Sequence, residues 1–169
     1  MPPQYNKLPA FNVISYLWDG LVNAEILDPT DYYVDEFEDE IIPIVPVQDL
    51  PQTRNYLGDK PYIVYEVINL PIQDGQFYMK QEELIFAVYS PSFSKLVEIC
   101  MLAEDLLNRS SLTGHDITKY SNSQFTFHCF NTEYQIVGPS ESEGGRMEAM
   151  IVVTYEYTRD LTASGRYSQ

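Results

Sequence analysis

The strongest constraint on the fold is a strict two-residue alternation near the end of the 169-residue chain. From residue 147 to 158, one set of alternating positions is apolar or aromatic throughout, while the other set is mixed. The apolar set is Met147, Ala149, Ile151, Val153, Tyr155 and Tyr157. Because successive side chains of a strand point to opposite faces, this pattern predicts a half-buried antiparallel strand in a sheet with one buried face.

Three further segments predict strands of the same sheet. Residues 62–69 alternate in strand fashion, and residues 84–89 are apolar at every position, which is typical of a central strand covered on both faces. Residues 125–130 alternate as well, and we expect that strand to extend towards Val137. The Gly- and Ser-rich residues 138–145 then predict a turn into the last strand.

Two segments have helical periodicity. The first spans residues 10–23, and its apolar stripe is Phe11, Ile14, Leu17, Trp18, Leu21 and Val22. The second follows Pro91, where Ser92 or Ser94 can cap a helix that continues to about Arg109. We therefore predict an α+β fold in which an antiparallel or mixed sheet of about four main strands carries an N-terminal and a central helix on one face. An apolar second face would need a cover from outside the fold.

An acidic segment separates the first helix from the strands. Residues 28–40 hold seven acids and no Lys or Arg, which favours an exposed, solvated loop. The aromatic side chains between the acids leave a partner-docking loop as one alternative, and a cation site is another. The following residues 41–47 are strand-like but contain Pro43 and Pro46, so they predict an edge strand or an extended arm. We interpret residues 28–60 as an acidic, extended insertion in a single domain of residues 1–169, with a flexible tail at 161–169.

Composition excludes several classes of protein. Acidic residues number 25 against 10 Lys plus Arg, and the net charge of -15 disfavours binding to nucleic acid. No segment has the pattern of a signal peptide or the roughly 20 apolar residues of a membrane span. Cys100 and Cys129 are too few for a disulfide framework, so we expect buried free thiols and folding in a reducing cytoplasm.

The sequence contains no recognised catalytic motif. A phosphate-binding loop, a dinucleotide fingerprint, a nucleophile elbow and a zinc-binding helix are all missing from the sequence. His115 is expected in a solvated loop, while His128 and Cys129 are strand neighbours that should point to opposite faces and so not share a metal ion. We expect no catalytic residue, no metal and no cofactor.

Three features together resemble tail-terminator and related neck, or head-tail joining, proteins of tailed bacteriophages. They are the helix from Phe11 to Val22, the strand that runs directly into a helix between Leu84 and Val97, and the closing hairpin from Phe125 to Tyr157. The resemblance implies a virion protein without enzymatic activity, with helices packed against a mixed or antiparallel sheet. It also implies assembly into rings, commonly hexameric, that cap the tail tube.

The partners implied by this resemblance are copies of the chain itself, the tail tube protein, the tail sheath protein as a further candidate, and the head-completion or neck protein. DNA would pass through the ring without specific binding. Candidate interface residues come from the acidic segment and the closing hairpin: Tyr32, Tyr33, Asp35, Glu36, Phe37, Glu38, Asp39, Glu40, Glu141, Glu143 and Arg146. The alternatives are a head-closure, tube or baseplate protein, or a small cytoplasmic ligand-binding domain or enzyme.

The acidic segment can be tested by removing its charge. Replacing Asp35, Glu36, Glu38, Asp39 and Glu40 with Asn or Gln should leave the circular dichroism spectrum unchanged, because solvated carboxylates add little to stability. If the segment docks a partner, we expect weaker co-assembly and a smaller response to salt, measured by sedimentation at two ionic strengths. Unchanged assembly would reduce the segment to a solvated insertion.

Overall fold

One mixed sheet and two α-helices make up the fold in a computed structural model, which describes residues 9–32, 42–49, 59–70, 79–108 and 125–159. The helices are α1 (Pro9–Asn23) and α2 (Phe93–Leu106). The strands are β1 (Ile44–Pro46), β2 (Tyr62–Asn69), β3 (Met79–Ser90), β4 (Phe125–Ser140) and β5 (Arg146–Arg159). The predicted α+β class is confirmed, with five strands rather than four.

The order of strands in the sheet is β1-β2-β3-β5-β4. All neighbouring strands run antiparallel except β1, which is parallel to β2 and pairs Ile44 with Ile63. The strand predicted to be central, β3, is indeed the middle one. The proline-broken segment forms the edge strand β1, where a missing N–H is tolerated.

One face of the sheet is buried beneath the helices. On this face, residues in the middle of β3 pair with residues of the neighbouring strand β5, and their side chains are fully buried. The pairs are Leu84 with Val153, Phe86 with Ile151, and Val88 with Ala149. Helix α2 packs over β3, β4 and β5, and α1 packs against α2. The Thr132 hydroxyl of β4 donates a hydrogen bond to the Leu107 carbonyl at the end of α2. The predicted packing of both helices on one face is confirmed.

Local sequence signals set the helix boundaries. Helix α1 begins at Pro9, where a missing N–H is harmless, and Ser92 caps α2 by accepting a hydrogen bond from the Lys95 N–H at 3.4 Å. Phe11 was wrongly placed in the buried stripe and is 43% exposed. At 3.6 residues per turn it lies about 80° around the helix from the centre of the stripe. Within the described ranges, no helix is long and apolar enough to cross a membrane.

The interpretation of residues 28–60 as an exposed insertion is not confirmed. Tyr32 is only 3% exposed; its ring meets Trp18 edge-on at 6.0 Å, and its hydroxyl donates to the Pro61 carbonyl at 2.7 Å. Burial, together with the charge of Asp31, raises the pKa of Tyr32. Strand β1 also belongs to the core through Ile44, which is 6% exposed. The described parts of this segment are therefore built into the body of the protein.

The two faces of β5 predict opposite responses to one substitution. Val153 is fully buried on the helix face, so Val153→Asp should destabilise the protein by roughly 4 kcal/mol or more and leave little of it folded. Val152 is half-buried on the other face, and Val152→Asp should cost about 1 kcal/mol. Urea denaturation followed by circular dichroism measures both. Equal losses would contradict the assignment of the faces.

Candidate interface

The sheet face opposite the helices carries an apolar patch surrounded by carboxylates; we call it the open face. The strand registers place its apolar side chains next to one another across β3 and β5: Ile85, Ala87, Met150 and Val152. Val64 of β2 lies beside Ala87 but is buried, at 6% exposure. The carboxylates that surround them are Glu66, Glu83, Glu133, Glu148 and Glu156. The open face therefore has the arrangement of a protein interface, an apolar centre within a polar rim.

Exposure of this patch corrects one prediction. Residues 84–89 were expected to be covered on both faces, but Ile85, Ala87 and Tyr89 are only half-buried. Met150 is 41% exposed. The expectation was wrong because, within the described ranges, both helices pack on the same face and neither covers the other.

The rim of the open face is strongly negative. Glu66 on β2 and Glu133 on β4 lie at the two ends of one row, with Ile85 and Val152 between them. Among the described residues, Glu66, Glu83, Glu133 and Glu156 have no ion-pair partner. The cation on the described part of this face is Arg146, at one end of β5. The carboxylates therefore present their charge to whatever approaches the patch.

The turn between β4 and β5 closes one end of the open face. The Tyr62 hydroxyl donates a hydrogen bond to the Glu143 carboxylate, and the two residues are 2% and 7% exposed. The Arg146 guanidinium lies 5.5 Å from the centre of the Tyr62 ring, and its Nη1 donates to the Glu143 carbonyl at 2.9 Å. Glu143 and Arg146, two predicted interface residues, therefore both contact Tyr62, which was not among the predicted interface residues. Arg146 also approaches Asp59 at 3.9 Å.

Two glycines allow this turn to fold back on the sheet. Gly144 and Gly145 have φ values of 68° and 79°, in the left-handed region that side chains with a Cβ adopt at a cost. The Gly145 N–H donates to the Ser140 carbonyl at 2.8 Å and closes the turn. The tight turn directs Glu143 inwards and leaves Glu141 exposed. Glu141 therefore remains available for contact, while Glu143 has a structural role.

The remaining predicted interface residues fall elsewhere. Tyr32 lies in the core, which corrects its placement on the surface. Residues 33–40 lie outside the described part of the chain. Two residues of the open face that were not predicted as interface residues can be recognised in the sequence. Met150 and Val152 are apolar, although they belong to the alternating set of β5 that is otherwise polar. The mixed character of these positions alone does not predict an apolar patch.

A bulge in β4 changes the expected geometry of its histidine and cysteine. The register shifts between Phe127 and Cys129, so His128 is an extra residue in the ladder. Cys129 pairs with Glu156, and His128 Nε2 lies 2.9 Å from the Thr158 hydroxyl, which places both on the open-face side. The expectation that they point to opposite faces was therefore wrong. No group of three His, Cys, Asp or Glu side chains within the described ranges is placed to hold a metal.

The two cysteines have the character of structural thiols. Burial raises the pKa of the Cys100 thiol to about 11. Burial also raises the pKa of Cys129, and the nearby Glu156 carboxylate adds to that effect. Cys129 is half-buried rather than fully buried, which corrects its predicted environment. Both thiols stay protonated near neutral pH, and a protonated thiol is a poor nucleophile.

A separate cleft of about 350 Å³ lies where α1 ends. It is lined by Val22, Glu25, Leu27, Asp28 and Pro29. The Asp28 carboxylate accepts hydrogen bonds from the Thr30 hydroxyl at 2.7 Å and the Thr30 N–H at 2.9 Å, which lower its pKa. Asp28 thus caps the short turn Pro29–Tyr32, a structural use of its charge.

The buried hydrogen bond from the Tyr62 hydroxyl to the Glu143 carboxylate, which we call the lock, should contribute measurably to the free energy of unfolding. Tyr62→Phe removes the donor from a buried carboxylate, and we expect a loss of about 1–3 kcal/mol. Tyr89→Phe is the matched control, because its hydroxyl reaches Glu148 only at 3.3 Å in a partly exposed position. We expect that change to cost less than about 1 kcal/mol. Urea midpoints of the two variants provide the test, and identical midpoints would show that the lock adds nothing.

The sequence matches no known protein family and no curated protein. The geometry that bears on function is a helix-covered sheet face, an open face with an acidic rim, and the Tyr62–Glu143 hydrogen bond that holds the hairpin at its end.

Proposed function

We propose that this protein is a structural component of a bacteriophage virion, the tail terminator. In this role it forms a ring, commonly hexameric, that caps the tail tube and joins it to the head-completion or neck complex. The observation that carries the proposal is the one-sided sheet: in the described part of the chain both helices cover the same face, and the half-apolar open face remains for contact with another component of the assembly. The role is structural and requires no catalytic group.

The three features that suggested the family correspond to elements of the fold. The amphipathic segment is α1, the strand that runs directly into a helix is β3 followed by α2, and the closing hairpin is β4 with β5. This agreement supports the proposal. It also fits a head-closure, tube or baseplate protein, so binding to defined tail components has to separate these roles.

A ring subunit needs more than one contact surface, because it meets its neighbours as well as the components above and below. The described residues offer a second apolar surface on the outer side of α2. Phe93 is 54% exposed and Met101 is 58% exposed, with the half-buried Val97 midway between them at helical spacing. Because α2 covers the other side of the sheet, this stripe and the open face lie on opposite sides of the protein.

The net charge of -15 supports passage of DNA without capture. A protein gains affinity for DNA chiefly by placing Lys and Arg on phosphates and releasing counterions. An acidic wall does the reverse, so DNA could slide past it. We propose that the ring is acidic where it meets DNA.

Oligomeric state provides the direct test. Size-exclusion chromatography with light scattering should show a discrete multiple of the 19.5 kDa subunit, alone or after mixing with purified tail tube protein. Met101→Glu should shift that species towards monomer if the α2 stripe is a ring contact, because it places an extra charge in an apolar interface. Glu104→Gln on the same helix is the control. A strictly monomeric protein that binds neither tube nor neck components would overturn the proposal.

A further inference from the structure

We infer that the open face binds a single helix or strand of a partner protein whose apolar side chains are flanked by Lys or Arg. The basis is the juxtaposition of Ile85, Met150 and Val152 with a rim of carboxylates on every side. This surface was not in the set predicted from the acidic segment and the hairpin. A basic partner for it is independent of whether the protein forms rings.

The apolar centre indicates that the face is covered in use. The same strands are fully buried on the helix face, whereas Met150 is 41% exposed in the middle of the open face. Ile85 and Val152, which pair with each other in the next row of the same face, are half-buried. Contiguous exposed apolar groups with a polar rim are typical of interaction sites.

The rim specifies the sign of the partner's charge. Glu66 and Glu133 close the two sides of the patch, and Glu148 closes the end next to the hairpin. Arg146, the cation at that end, already contacts Tyr62, the Glu143 carbonyl and Asp59. Lys or Arg on the partner would pair with carboxylates that have no ion pair in the described part of the chain, and the overall charge of -15 would attract such a partner.

Charge disfavours a second copy of this chain as the occupant. Two open faces related by a two-fold axis would bring one carboxylate rim against another, and like charges at an interface are repulsive. The α2 stripe of another copy is no better suited. Its exposed neighbours on that helix include the acids Glu98, Glu104 and Asp105.

The size of the patch limits what can occupy it. Strands about 4.8 Å apart and rows about 6.7 Å apart give the apolar patch an area of roughly 200 Å², and about 500 Å² when the rows of carboxylates around it are included. Each partner in a standard protein interface buries about 800 Å². The open face is therefore too small for a whole domain surface, and it matches one amphipathic helix or strand laid across β3 and β5.

Two labelled 18-residue amphipathic peptides test the partner's chemistry on the full chain. Each carries Leu along one helical face, and the remaining positions are all Lys in one peptide and all Glu in the other. We expect the Lys peptide to bind, measured by fluorescence anisotropy, and its affinity to fall as salt is raised. The Glu peptide should not bind. Failure of the Lys peptide to bind, or equal binding of both, would overturn the inference.

Matched variants then separate the open face from general attraction to an acidic protein. Glu66→Gln with Glu133→Gln should weaken binding of the Lys peptide roughly three- to tenfold at low salt. Glu104→Gln with Asp105→Asn removes the same charge from exposed positions on α2 and should change the affinity less than about twofold. Equal losses in the two double variants would mean that the peptide senses net charge alone, which contradicts a specific site.

A third measurement locates the bound peptide. Backbone NMR shifts caused by the Lys peptide should cluster on β3 and β5 around Ile85 and Val152, and Met150→Ser should weaken binding while keeping the fold. Shifts centred on α2 would place the site elsewhere and overturn the inference. Self-association that Met150→Ser abolishes would identify a second copy as the occupant, which would also overturn it while leaving the proposed ring intact.

Discussion

The pairing of β5 with a strand on each of its sides is the interaction on which the rest of the structure depends. Its ladder with β3 runs from Met147 to Thr158, and its ladder with β4 covers almost the same length. Because every second residue of β5 is apolar, these ladders fix which face of three adjacent strands is buried. A shift of one residue would move Val153 to the open side and Val152 beneath the helices. The helices, the core and the open face all follow from this register.

Two buried carboxylates show how the fold accommodates charge. On the helix face, Glu82 is 4% exposed and accepts a hydrogen bond from the Tyr155 hydroxyl at 3.1 Å. Burial raises the pKa of Tyr155, and the neighbouring Glu82 carboxylate raises it further. At the end of the open face, Tyr62 plays the same part for Glu143. In both places the tyrosine ring adds to the apolar packing. The tyrosine hydroxyl donates the hydrogen bond that a buried carboxylate requires.

The difference between the two sheet faces connects the fold to assembly. The helix face is closed by α2, whose end is tied to β4 through Thr132 and Leu107. The open face has an apolar centre and an acidic rim. Contact with another molecule would bury the apolar side chains that are still partly exposed there. A structural role in a virion would use such contacts. The charge of the rim also selects among partners, because a basic segment gains ion pairs there while an acidic one is repelled.

The sequence by itself determined the elements whose signals are local. Alternation identified β2 and β5, and Pro9 and Ser92 marked the starts of the helices, because these patterns depend only on neighbouring residues. Tertiary structure alone decided that Tyr32 enters the core, that the bulge at His128 places two successive side chains on one side, and that one face of the central strand stays open. Periodicity reports which side chains are apolar, but burial depends on what packs against them. With both described helices on one face, the apolar side chains on the other face stay only partly buried.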